Sequence, residues 1–284
     1  MLARQDASKL LPRTQSSLAV SPDGRRWVLL NASPDLGEQI RRTPVLQPTP
    51  DGPLRNSPLA AVALTNADVD HVAGLLTLRE AHSFSIYASR RVLDVLDANP
   101  IFNVLDRAKV RRSPMTIDEP IQVLQGPSGG TLTITPFLVP GKIALYLEDL
   151  FTGGDFGTSD GDTIGLEVSD GRSTFHYVPG CARIDNNLRE RLSNSRLVFF
   201  DGTLFTNDEM IQQGLLQKTG HRMGHISMSG DEGSVAALAD IDIGRRVFIH
   251  INNSNPVLRE ASPERAAVES QGWEIGYDGM ELKL

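Results

Sequence analysis

The chain has 284 residues, 40% hydrophobic and 22% charged, the balance of a globular protein long enough to bury a substantial core. Its net charge of −7 gives no electrostatic reason to expect nucleic acid or an anionic membrane, so a small molecule or peptide is the expected partner. A single cysteine, Cys181, excludes an internal disulfide and any Cys-rich zinc site.

No apolar run approaches the roughly 18 to 20 residues that span a bilayer. The opening stretch MLARQDASKLLPRTQSS lacks the apolar core of a secretory signal, and the expected location is the cytoplasm. SLAVSPDGRRWVLLNAS then reads as strand, Asp-Gly turn and strand, a hairpin that opens a sheet. After a Pro-rich loop, LAAVALT (59–65) is a short apolar strand running into LTNADVDHVAGL, and AGLLTLREA has helical spacing. FSIYAS is a buried strand, and RRVLDVLDANPIFNVL is helical up to Pro100. TLTITPFLV, DTIGLEVSD and STFHYVPG alternate like antiparallel strands punctuated by Asp-Gly and Ser-Gly-Gly. RIDNNLRERLSN is an amphipathic helix, RLVFFDGT a buried strand with a polar end, GSVAALADI a helix, and RRVFIHINNSNP a strand whose last residues turn polar. With no repeat or linker, 1–284 reads as a single α/β domain, a sheet-on-sheet core covered by helices. Sites in such folds gather where strands hand over to loops, here LTNADVDH, VPGCAR, FFDGT and FIHINN.

Six histidines are few enough to weigh singly. His82 and His221 lie in polar surroundings and read as solvated; His176, inside TFHYV, reads as a satisfied core or interface residue. Asp70 and His71 lie between a strand and a helix, and His250 ends another apolar strand. Two imidazoles and one carboxylate are the minimal donor set for a borderline divalent metal, and with open positions they suit non-haem Fe(II). The alternative is structural, His71 capping the helix and His250 bonding a neighbouring loop.

The string TNADVDHVAGL resembles the loop T-H-x-H-x-D-H-x-x-G-L of the metallo-β-lactamase superfamily, which implies a four-layer αββα sandwich with metals at one edge of the sheets. RTQSSLAVSPDG, LLNASPDL, LTNADVDHVAGLLTLRE, VPGCAR, FDGTL, KTGHRMGHISMSG and HINNSNPVL together resemble a subfamily that serves pyrroloquinoline quinone (PQQ) biosynthesis. Laid on this chain, the loop's first two histidines become Asn66 and Asp68, and its Asp-His pair is kept as Asp70 and His71. A later ligand histidine becomes Lys142, the bridging aspartate becomes Cys181, and the last histidine is kept as His250. The resemblance therefore implies that the first metal position (Asn66, Asp68, Lys142) is lost, with Lys142 able to pair with Asp68 in place of the cation. It implies that the second position (Asp70, His71, His250) survives.

One redox metal with free positions favours oxygen chemistry over hydrolysis. The implied activity is an Fe(II)- and O2-dependent hydroxylase, not a β-lactamase, acting on the tyrosine-derived ring of a peptide-derived, cross-linked Glu-Tyr precursor of PQQ; Zn and Cu accept the same donors. A non-catalytic carrier transporting PQQ or its precursor, and a residual metal-dependent hydrolase, are the competing readings. Asp201 and His225, the latter resembling a His-Ser segment near the site of related hydrolases, are candidates for acid/base or ligand-orienting roles. Lys142, Arg183 and Arg222 are candidates for clamping substrate carboxylates, and Asn252 with Asn253 for orienting substrate. Cys181 is placed in the cleft without a ligand role. The subfamily normally begins with a strand, a Gly-rich loop and a Cys-x-Cys-x-x-Cys cluster holding a structural zinc. None of these is present here, so an N-terminally truncated form of the fold is expected. Oligomeric state is open, a homodimer included.

Overall fold

Period-two alternation lets one strand serve two layers at once, and this chain uses it to build two sheets. The computed structural model describes residues 12–50, 52–126, 130–144, 146–147 and 161–284. The first sheet holds, in spatial order, β1 (Leu18–Val20), β2 (Trp27–Leu30), β3 (Leu59–Ala63), β4 (Phe84–Ala88) and β5 (Val110–Pro114). Its β1–β2 pair is the predicted antiparallel hairpin, and its other pairs are parallel. The second sheet holds β6 (Ile121–Gln125), β7 (Thr131–Leu138), β8 (Ile164–Ser169), β9 (Thr174–Val178), β10 (Val198–Asp201), β11 (Arg246–Ile249) and β12 (Trp273–Ile275), also in spatial order. It is antiparallel from β6 to β9 and parallel from β9 to β12.

Three apolar layers separate the elements. Val28, Leu30, Ala61 and Ala63 face Ile134, Leu166, Tyr177, Phe199 and Val247 between the sheets. Leu29, Val62 and Ile86 face outward under helix α1 (Leu36–Arg42) and later helices of the first half. Val198, Phe200 and Phe248 face outward on the other side, under residues such as Leu188, Leu192 and Val268. The result is a four-layer αββα sandwich. Among the described residues no helix is long and apolar enough to cross a membrane. Residues 1–11 lie outside the described residues.

Several elements differ from the sequence reading. AGLLTLREA is not a regular helix: one α turn, α2 (Val69–Val72), passes into a 3-10 run, Ala73–Leu78. Within that run the chain makes a close approach that only glycine allows, because a Cβ on Gly74 would lie 2.1 Å from the Ser33 carbonyl oxygen. The next two helices, α3 (Arg90–Ala98) and α4 (Asn186–Leu192), match the periodic segments, each with a capping side chain, Ser89 or Asp185. α5 (Glu209–Gln212) is a single turn, and GSVAALADI shrinks to α6 (Ser234–Ala237), where the following Asp240 and Asp242 oppose the negative end of a longer helix. The sequence reading omits α1, β5, β6 and β12, together with α7 (Pro263–Ser270), although Ser262 and Pro263 form a standard helix start.

Candidate metal centre

The loop after β3 is held from beneath by the end of β2. Asn31, at φ 63°, accepts from the Thr65 N–H and donates to the Thr65 hydroxyl, both at 2.9 Å. The Ala32 N–H donates to the His71 carbonyl at 2.8 Å, and the Gly74 N–H donates to the Ala32 carbonyl at 2.9 Å. At the same edge the Ile164 N–H donates to the Thr65 carbonyl at 2.9 Å, tying the two sheets together. Asp70 and His71 thus leave one sheet where His250, just past β11, leaves the other.

Donor atoms of Asp70, His71 and His250 lie within 4.8 Å of one another. His250 Nε2 is 2.8 Å from Asp70 Oδ2, and the His71 ring stands edge-on to the His250 ring with centroids 5.0 Å apart. His71 is only 1% exposed; its Nδ1 sits 2.7 Å from Asn66 Oδ1, and its buried Nε2 has no hydrogen-bond partner. Burial pushes His71 down to about 4, so its imidazole is neutral near pH 7. Burial opposes ionisation of Asp70, but the His250 hydrogen bond and the nearby histidine charges outweigh it and hold the carboxyl well below its usual range. Burial likewise lowers His250, yet the bond to Asp70 and the Asp70 and Asp201 carboxylates raise it overall. His250 also adopts φ 55°, a left-handed conformation that costs an ordinary residue about 1–2 kcal/mol. An orphaned buried imidazole nitrogen beside a carboxylate and a second imidazole is an arrangement that a divalent metal ion satisfies, so these residues fit one.

Asp201, His225 and His250 form a second group of the same compactness. Asp201, however, already accepts from the Thr203 N–H (3.1 Å) and hydroxyl (2.7 Å), the Cys181 N–H (3.0 Å) and His225 Nδ1 (2.8 Å). With its lone pairs committed it acts as a hydrogen-bond hub. Burial raises its pKa, but the His225 charge and these hydrogen bonds outweigh burial and keep it low. His225 stacks on His250, with centroids 5.2 Å apart and planes 20° apart, and its Nδ1 contact with Asp201 leaves Nε2 as the nitrogen that can meet a substrate.

Lys142 is 7% exposed, with Nζ 3.9 Å from Asp68 Oδ1 and donating to the Ile143 carbonyl at 3.0 Å. Its aliphatic stem packs on Gly224, where a Cβ would approach Lys142 Cγ to 2.9 Å, and Arg222 lies in the preceding turn, His221–Met223. The structure therefore groups Asn66, Asp68 and Lys142 beside the Asp70–His71–His250 cluster. Arg183 is half-exposed and pairs with Asp185 at 3.7 Å. Asn252 donates to Ser254 Oγ at 3.0 Å and Met210 Sδ at 3.2 Å and accepts from Asn253, bracing its own loop. Cys181 lies under the sheet rather than in an open cleft: it is 0% exposed and its thiol donates to the Arg183 carbonyl. Burial, then the Asp201 charge, pushes that thiol well up. His176, inside β9, has its Nδ1 2.8 Å from Ser195 Oγ and its Nε2 3.3 Å from Glu167, and His82, read as solvated, stacks on Phe84. The residue absent from the sequence reading is Thr203, whose hydroxyl lies 2.8 Å from His250 Nδ1. Its signal was its place two residues after Asp201 at a polar strand end.

Two sheets face to face, helices outside and a His/Asp cluster at the strand ends define the metallo-β-lactamase class of folds, and the family model described as the beta-lactamase superfamily domain matches residues 26–251. Coenzyme PQQ synthesis protein B of Gluconacetobacter diazotrophicus is 52% identical over 284 residues, covering 99% of this chain and 91% of that protein. The protein of the same name from Xanthomonas oryzae pv. oryzae is 50% identical over 282 residues, with coverage of 99% and 91%. The crystal structure of Zn(2+)-bound PqqB from Methylobacterium extorquens matches with a TM-score of 0.94 at 48% identity, covering 100% of this chain and 92% of that one. The chain belongs to the coenzyme PQQ synthesis protein B (PqqB) family.

Proposed function

We propose that the protein serves PQQ biosynthesis as a mononuclear iron-dependent hydroxylase, inserting oxygen into the tyrosine-derived ring of a cross-linked Glu-Tyr precursor. The observation that carries this reading is the donor set: Asp70 Oδ2, His250 Nε2 and the orphaned His71 Nε2 converge, while Asn66, Asp68 and Lys142 stand at the other ligand positions. Asp70, His71 and His250 would hold the metal; two imidazoles, one carboxylate and open positions suit Fe(II), and Zn or Cu accept the same donors. Iron supplies the one-electron steps that O2 needs. One oxygen atom enters a ring C–H bond and the other leaves as water, so each insertion takes two electrons and two protons from a reductant supplied with the precursor.

The chain's own residues bind and orient the precursor. Lys142, with Arg222 in the turn before the Gly224 that packs on its stem, suits the precursor's carboxylates, whereas Arg183 pairs with Asp185. His225, its Nδ1 fixed by Asp201, presents Nε2 to hold or deliver a proton at the ring hydroxyl. The hydrolytic reading is weakened by the ammonium of Lys142, which sits beside Asp68 where a second cation would be needed.

Anaerobically prepared protein is expected to bind about one Fe(II) per chain and to consume O2 only with precursor and reductant. Asp70→Ala and His250→Ala should abolish both metal binding and O2 uptake. Turnover without metal would sink the proposal, and tight quinone binding that survives both substitutions would favour a carrier.

A further inference from the structure

We propose that Asn66 and Thr203 are positioning residues that hold Nδ1 of both imidazoles, His71 and His250, as the protonated nitrogen, so that the lone pair offered to a metal is on Nε2: already free on His71, and freed on His250 when a metal replaces the Nε2 proton shared with Asp70. The inference rests on the metal reading above and assigns new work to Asn66, which the resemblance marks only as a lost ligand.

The Asn66 side-chain oxygen is identified by its own contacts. It accepts from the Asp68 N–H at 3.0 Å, and a backbone N–H only donates, so the atom facing it is the amide oxygen. The same oxygen lies 2.7 Å from His71 Nδ1, which must therefore carry the proton. The lone pair falls on Nε2, the buried atom with no hydrogen-bond partner.

Thr203 reaches the same result by a different route. Its hydroxyl has one proton and contacts two oxygen acceptors, Asp201 Oδ1 at 2.7 Å and the His250 carbonyl at 3.0 Å, as well as His225 Nδ1 at 3.0 Å, a nitrogen that donates its own proton to Asp201 Oδ2. The proton goes to an acceptor, with the charged carboxylate the stronger. The Thr203 oxygen is then left to accept from His250 Nδ1 at 2.8 Å, and His250 Nε2 is the nitrogen that faces Asp70. Asp201 thus acts on His250 through Thr203, and its compactness with His225 and His250 reflects an orienting network rather than a second ion site.

The test uses the full chain labelled with 15N-histidine. Two-bond 1H–15N correlation spectra at pH 8 report the tautomers in metal-free and Zn-loaded protein, and competition with a chelating dye reports the zinc Kd. Wild type should show pyrrole-type Nδ1 and lone-pair Nε2 for His71 without metal, and for both residues when zinc is bound. Asn66→Leu and Thr203→Val should weaken zinc by about 10- to 100-fold. Asn66→Asp and Thr203→Ser, which keep an acceptor in place, should stay within about threefold of wild type or bind tighter, which separates orientation from packing. An Nε2-protonated His71 in wild type, or unchanged zinc affinity in folded Asn66→Leu and Thr203→Val, overturns the inference. Wild type that binds no zinc and no Fe(II) instead overturns the metal reading, and the metal-free His71 spectrum still decides the tautomer.

Discussion

Asp70 is the charge on which the cluster depends: it is the cluster's carboxylate, and its oxygen lies 2.8 Å from His250 Nε2. Asp70→Asn keeps the shape and removes the charge. It should cost metal affinity beyond the roughly 10- to 100-fold typical of losing an outer hydrogen bond, measured as metal per chain after desalting. Cys181 behaves oppositely. Buried, hydrogen-bonded to the Arg183 carbonyl and with its thiol pushed up, it should resist iodoacetamide at pH 8 in the native protein and react fully in denaturant. Cys181→Ala should leave metal content unchanged, since its thiol is not among the grouped donors. Native-state alkylation that strips metal would refute this assignment.

At the scale of elements, strand ends decide where donors go and short turns decide how they aim. In the 3-10 run after α2, Gly74 meets the backbone of Ala32 and Ser33, and a carbonyl oxygen cannot swing away as a side chain can. Gly74→Ala should therefore destabilise by about 1–3 kcal/mol in urea unfolding and loosen metal binding, because the Ala32–His71 bond lies on the same clamp. A variant with unchanged stability would show that the clamp yields. Strongly periodic elements, such as α3 and the antiparallel run β7 to β9, were legible in the sequence because their patterning and caps agree with their packing. β5 and β6 were not: VRRSP and IQVLQ carry polar or charged residues on one side and too few apolar ones to show a period.

Across the whole molecule, metal binding and protonation are linked to folding. His71 refuses a proton until about pH 4, whereas in the unfolded chain it takes one up near 6.5. The unfolded state then binds more protons over that window, so His71's contribution to stability is present above about 6.5 and lost as pH falls toward 4. Urea unfolding of the metal-free protein should show this loss, and His71→Gln should flatten it; equal slopes in the two proteins would contradict the assignment. A metal that binds only the folded state adds about 2.7 kcal/mol at a hundred times its Kd, so Fe(II) or Zn should raise the unfolding midpoint of wild type but not of Asp70→Ala.

Alternating strands and strand-end loops, which are local patterns, were enough to read a sheet-on-sheet core covered by helices, and the resemblance carried by the TNADVDHVAGL string implied the αββα class and the residues offered for the site. Asp70, His71 and His250 could be named from it. Only the tertiary structure decided that 180 positions of separation close to a 2.8 Å contact, since that depends on two sheets meeting at one edge. It alone assigned Asn66 and Thr203 to the two imidazoles, and it moved Cys181 from a cleft into the core. A hydrogen bond's direction depends on every other group competing for the same atom, and that competition is set in space, between residues that the chain keeps far apart.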